Sequence, residues 1–140
     1  MKQKPPVQKG QIVECTIHGF GHSGTGVGRY DGFAIFIGGA LPGERVKVQV
    51  TKVKKTFAEA KLLSVLSAHP ERIDPICPHF DTCGGCQLQH ISYEEECRLK
   101  RQQVADQLER IGLFADVTIH PVKGMETPWK YRNKVQVPFG

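Results

Sequence analysis

Residues 44–53 read ERVKVQVTKV. Val46, Val48 and Val50 alternate with Lys47, Gln49 and Thr51, the period of a strand with one buried face and one wet face. Working outward, QIVECTI at 11–17, GFAIFIG at 32–38 and TFAEAKLLSVL at 56–66 are short, rich in β-branched residues and partly alternating. GVGRY at 26–30 adds a short strand before an Asp31-Gly32 turn, and LPGE at 41–44 is a further turn. Four or five short strands in under sixty residues predict a small OB-like antiparallel β-barrel over 11–66 and a mainly β chain.

The flanks read differently. Residues 1–10 are polar, with Pro5 and Pro6, and read as a flexible arm. Residues 67–91 read as irregular, punctuated by Pro70, Pro75 and Pro78. A helix is predicted from Ser92, an N-cap whose capping box is completed by Glu95. Cys97, Val104, Leu108 and Ile111 recur at near-helical spacing as its apolar stripe, and Gly112 is expected at the left-handed closing position. From Val117 the chain reads as extended, broken by Pro121, Pro128 and Pro138. It stops at VQVPFG, inside a strand-like region, so a longer parent chain is expected.

Composition narrows the class. The chain has 140 residues, 39% of them apolar, which fits one ordinary domain or two small ones. No apolar run approaches the ~20 residues a membrane span needs. No apolar segment of a signal peptide follows MKQKPPVQKG, so a cytoplasmic protein is expected. Thiols stay reduced there, and five cysteines, an odd number, do not make a closed disulfide framework. The net charge of +5 suits a polyanionic partner without requiring one.

GHSGTGVG at 21–28 lacks the Lys-Ser/Thr of a P-loop, and no helical pattern follows it. It reads as a turn of the barrel, with Arg29 beside it as a nucleic-acid contact. Lys52, Lys54 and Lys55 lie near Phe57, the mixture of basic and aromatic side chains with which OB-like barrels hold single strands. Tyr30, Phe33 and Phe57 are candidate stacking platforms, while Phe36, and alternatively Phe57, reads as core.

CPHFDTCGGCQLQH, residues 77–90, carries cysteines spaced C-x5-C-x2-C. Thiolates this close repel one another unless a cation neutralises them, so a metal is the simplest reading. Zinc would take Cys77, Cys83, Cys86 and His90. An iron–sulfur cluster would take the same cysteines and a fourth from elsewhere. His79 and Cys97 are weaker ligand candidates. The spacing leaves both metals open.

With these motifs in order, the chain resembles the bacterial 23S rRNA (uracil-5-)-methyltransferases. CPHFDTCGGCQLQHISYEEECRLKRQQVADQLERIG is similar to their iron–sulfur segment. GVGRYDG and ALPGE are similar to their TRAM domain, and PWKYRNKVQVPFG to the start of their central RNA-contacting α+β domain. The resemblance implies a TRAM domain at 11–66, an iron–sulfur segment at 67–91, and a helix plus a truncated central domain at 92–140. It implies a 4Fe–4S cluster on Cys77, Cys83 and Cys86, with the fourth ligand beyond residue 140; Cys15 and Cys97 do not match that position. His90 is then an ordinary member of a Gln-His motif.

The implied activity is methyl transfer from S-adenosylmethionine to C5 of uridine in 23S rRNA. The implied catalytic domain lies outside these residues, so no catalytic residue is expected within 1–140 and the piece alone is expected to be inactive. Tyr131, Arg132 and Asn133 join Arg29, Tyr30, Lys52, Lys54, Lys55 and Phe57 as expected RNA contacts. A monomer with no membrane attachment is expected. The alternative is a non-catalytic TRAM-type RNA-binding module with a zinc site of three cysteines and one histidine.

Overall fold

The structure is a computed structural model that describes residues 4–21 and 24–140. Strands β1 (Ile12–Phe20), β2 (Gly26–Tyr30), β3 (Phe33–Ile37), β4 (Arg45–Val53) and β5 (Phe57–Ser67) form where the alternating segments predict them. They close into a barrel in the order β1-β2-β3-β5-β4. β1 is antiparallel to both β2 and β4, β2 to β3, and β4 to β5. Directions therefore alternate along the chain, and the remaining contact, β3 with β5, has to be parallel.

The alternation is honoured in space. Val13, Cys15 and Ile17 on β1, Ile35 and Ile37 on β3, Val46, Val48 and Val50 on β4, and Ala58 and Ala60 on β5 make the core. Each large aliphatic side chain so buried contributes roughly 1.5–3 kcal/mol. The barrel is narrow where β2 enters it. A Cβ on Gly26 would stand 2.7 Å from the Ala40 carbonyl oxygen, and one on Gly28 would stand 2.8 Å from Cys15 Sγ. The GVG run is therefore a close-packing requirement of the barrel wall.

Part of the polar arm belongs to this core. Residues 1–3 lie outside the described residues, but Val7 is 2% exposed and packs with the barrel cluster. The Gly10 N–H donates to the Val50 carbonyl at 2.7 Å. An isolated valine in a polar stretch has no periodicity to reveal it, so the local reading set it outside the barrel.

The chain divides into two units, Met1–Ser92 and Tyr93–Gly140. The first holds the barrel and the cysteine segment, including the short helix α1 (Phe80–Cys83). The second begins with helix α2 (Tyr93–Arg110), directly after Ser92 as predicted. Its buried residue is Leu99, and two members of the expected stripe are open: Val104 is 48% and Ile111 81% exposed. The tail is tied to the helix on the stripe's own face, by polar contacts. Tyr93 Oη accepts from the Met125 N–H at 2.9 Å, and Arg101 donates to the Ile119 carbonyl at 2.8 and 2.6 Å. At the helix end Leu113, φ 58°, takes the left-handed conformation expected of Gly112. Gly112 is needed there for space, since a Cβ would stand 2.8 Å from the Leu108 carbonyl oxygen. Beyond α2, residues 111–140 form no helix or strand, and the extended reading holds only as irregular chain.

Candidate nucleic-acid interface and cysteine segment

The cysteine segment is a loop with clasped ends. An isolated bridge joins Arg72 to Ile91, the Ile73 N–H donates to the His90 carbonyl at 3.0 Å, and the Ser92 N–H donates to the Glu71 carbonyl at 2.9 Å. The clasp is fixed to the barrel through Glu44, the acid of the LPGE turn, which is fully buried. Its Oε1 accepts from Arg72 Nε at 2.6 Å and from the His69 N–H at 3.2 Å. Its Oε2 accepts from Arg72 Nη2 at 2.9 Å and from the Leu41 N–H at 3.0 Å. Arg72 Nη2 also donates to the Gly39 carbonyl at 2.6 Å. Burial pushes the Glu44 carboxyl up, but the hydrogen bonds from Arg72 and the two backbone N–H groups outweigh it and hold the group below its usual range.

Inside the loop, α1 carries Cys83 and ends at Gly84, whose φ of 72° uses the freedom of the CGGC glycines. The Cys77 N–H donates to Gln89 Oε1 at 3.2 Å. Cys77 and Cys86 are half-buried and Cys83 is exposed. Among the described residues no three His, Cys, Asp or Glu side chains are gathered into a ligand shell. The thiols suit iron or zinc in kind.

His90 differs from them in burial. Its ring is 3% exposed, 5.4 Å from the Phe80 ring, and neither nitrogen has a hydrogen-bond partner among the described residues. Burial, aided by the Arg72 charge, pushes its pKa down to about 4. His79 is exposed at the start of α1, Cys15 is sealed in the barrel core, and Cys97 is half-buried on α2.

The expected RNA contacts fall in three places. Arg29, Lys52, Lys54 and Lys55 are exposed on the barrel. Tyr30 and Phe33 are partly buried against the core, on the inward side. Phe57 lies on the outer side, in edge-to-face contact with Phe36 at 5.3 Å. Phe36 is therefore not core, because the inward positions of β3 are Ile35 and Ile37. Tyr131, Arg132 and Asn133 are exposed in the tail, with the Arg132 guanidinium 6.0 Å from the Tyr131 ring centroid. The glycine loop makes a turn, with the Gly21 N–H donating to the Thr25 carbonyl at 2.7 Å; His22 and Ser23 within it lie outside the described residues. Glu44 and Arg72 carry no sequence signal as partners: one reads as part of a turn and the other as a charge in irregular chain.

Among the described residues, no helix is long and apolar enough to cross a membrane. The TRAM domain family matches residues 6–63, a start that takes in Val7. A protein of Halalkalibacterium halodurans named an uncharacterized RNA methyltransferase is 52% identical over 99% of this chain and 30% of its own length. Similarly named proteins of Bacillus cereus and Clostridium tetani are 45% and 46% identical over 99% and 100% of this chain, again across 30% of their own lengths. A solved structure of a conserved protein from Methanococcus maripaludis is 39% identical, with 44% of this chain and 87% of that one covered; its TM-score is 0.42, too low to support a structural argument. Residues 6–63 thus match the TRAM domain family, and nearly the whole chain is similar to a segment, about three tenths in length, of proteins named RNA methyltransferases.

Proposed function

We propose that this chain is the RNA-gripping and iron–sulfur portion of a cytoplasmic enzyme that methylates C5 of uridine in 23S rRNA with S-adenosylmethionine. The observation that carries the reading is the 52% identity, over 99% of the chain, to a protein named an RNA methyltransferase. The C-x5-C-G-G-C motif narrows that class to the uracil-5 enzymes the sequence resembles. In this reading the TRAM barrel and the tail residues Tyr131, Arg132 and Asn133 hold RNA. Cys77, Cys83 and Cys86 hold a 4Fe–4S cluster with a ligand from outside the segment. Bound there, the cluster supplies iron–thiolate cross-links, and the chain's own part is to present the thiols from a loop clasped to the barrel. The methyl-transfer machinery lies outside these 140 residues.

The test is methylation of unmodified 23S rRNA by the full-length protein with labelled S-adenosylmethionine, followed by nuclease digestion and mass spectrometry of the nucleosides. The expected product is 5-methyluridine. A methyl group on another base, or none, overturns the reading.

A second reading, a non-catalytic RNA-binding module with zinc, is favoured by one observation: the buried His90 imidazole has no partner on either nitrogen among the described residues. Metal analysis of the full-length protein separates the two. About four irons per chain support the cluster, and stoichiometric zinc without iron supports the Cys3His site.

A further inference from the structure

Two aromatic rings stand on the wet side of the barrel, where alternation calls for polar groups. Ile35 and Ile37 point inward on β3 and Ala58 and Ala60 on β5, so Phe36 and Phe57, one position out of phase, point outward. They are half-buried only, and their rings meet edge to face at 83°.

Register places cations around them. Arg29 pairs with Ala34, and Ala34 with Phe57, so Arg29 and Phe57 lie on one cross-strand row. Phe36 pairs with Glu59, and Glu59 with Lys52, on the next row. Neighbouring strands are about 4.8 Å apart, so each cation is roughly 10 Å from its aromatic along the row. Lys52 is there because of a bulge. Unbroken alternation after Val46, Val48 and Val50 would turn Lys52 inward, but the register slips between Val50 and Lys52, and both Thr51 and Lys52 emerge on the surface. Lys54 starts the β4–β5 turn, its N–H donating to the Phe57 carbonyl at 2.8 Å. The acid Glu59 lies between Phe36 and Lys52.

We propose that the Phe36–Phe57 pair, ringed by Arg29, Lys52 and Lys54, is a stacking site for an unpaired base of RNA, with the cations on the flanking phosphates. The proposal rests on the RNA reading above and deepens it by naming the face and the state of the RNA. A base inside a duplex is stacked on its neighbours and offers no free face to a side chain. An unpaired base does, and aromatic stacking combined with basic side chains along the backbone is how OB-type surfaces hold single strands.

The test is fluorescence anisotropy of the full-length protein with a labelled unstructured oligouridylate and with a labelled duplex RNA, across a salt series. Phe57→Leu and Phe36→Leu keep apolar volume on an outward face, Phe57→Trp keeps the π-face, and Lys52→Ala removes one charge. Thermal melts check each fold. The Leu variants are expected to bind oligouridylate about ten-fold or more weaker, with an unchanged salt slope and unchanged duplex binding. Phe57→Trp is expected to bind as wild type, and Lys52→Ala to lower the log–log salt slope by about 0.7. Wild-type affinity in both Leu variants overturns the stacking site while leaving the RNA reading intact. So does equal loss on single-stranded and duplex RNA, or a lowered melting temperature with unchanged RNA binding, which would mark the pair as a seat for another part of the protein. If wild type binds neither RNA, the RNA reading itself fails and takes the stacking site with it.

Discussion

Arg72 reaches from the clasped end of the cysteine loop to the buried Glu44 carboxylate, Nε to Oε1 at 2.6 Å and Nη2 to Oε2 at 2.9 Å. The pair is a bidentate, charge-assisted contact between two stretches of chain 28 residues apart. It makes the barrel the foundation on which the cysteine loop stands.

Removing one partner should therefore do more harm than removing both. Arg72→Met leaves the fully buried Glu44 charge uncompensated and is expected to cost about 3–5 kcal/mol in the unfolding free energy. Glu44→Gln should cost less, because the amide remains neutral and can still meet the backbone donors. The double variant Glu44→Leu with Arg72→Met should recover part of the loss. Denaturant melts of the four proteins give the coupling, and additive costs would show that the pair is not acting as one.

Acid should loosen the same region. His90 takes a proton near 6.5 in the unfolded chain but only at about 4 when folded. The unfolded state then binds more protons across that window, so stability falls as pH drops from 6.5 to about 4, by about 3 kcal/mol in all. Glu44, held below its ordinary value of 4.5, adds to this as pH falls from about 4.5 through its folded value. His90→Leu should flatten the upper part of the profile. It should be neutral or stabilising at pH 7, because a buried imidazole with no partner costs free energy. Melting temperature against pH for both proteins is the check. Loss of bound metal from His90→Leu would instead identify the imidazole as a ligand.

Gly26→Ala is expected to destabilise the barrel by about 1–3 kcal/mol, because its methyl would meet the backbone oxygen of Ala40 at 2.7 Å. Gly32→Ala faces open space but sits at φ 76°, so its cost is conformational only. Urea midpoints should rank Gly26→Ala as the more harmful. The reverse order would show that β2 has room to move outward.

Cys83→Ala in the full-length protein should lose iron. If the cluster is a cross-link, the loop between the clasp strands should loosen while the clasp persists. Arg72, Glu44 and the Ile73–His90 hydrogen bond do not depend on metal. Proteolysis is expected within 74–89, with 67–73 protected. Unchanged protection and RNA binding with lost turnover would point to a direct chemical role for the metal site.

The strands were legible because their information is local. Each valine of ERVKVQVTKV reports its own face through the period of the pleat, and the turns carry their own glycines. Ser92 likewise marked the start of α2 without help from the rest of the chain. The cysteine motif was legible for a similar reason: three ligand-type residues lie within ten positions. What only the tertiary structure decided depends on contacts between distant segments. Barrel closure made β3 and β5 parallel, and a register slip against β5 turned Lys52 outward against its own alternation. Closure also placed Phe36 on the surface and drew Val7 into the core. An acid in a turn became the buried anchor of the cysteine loop because Arg72 and two backbone N–H groups converge on it. The local period does not settle the environment of any of these residues, because that environment is set by which strand lies beside it. Pairing across the barrel supplies that information, and the sequence holds it only as a whole.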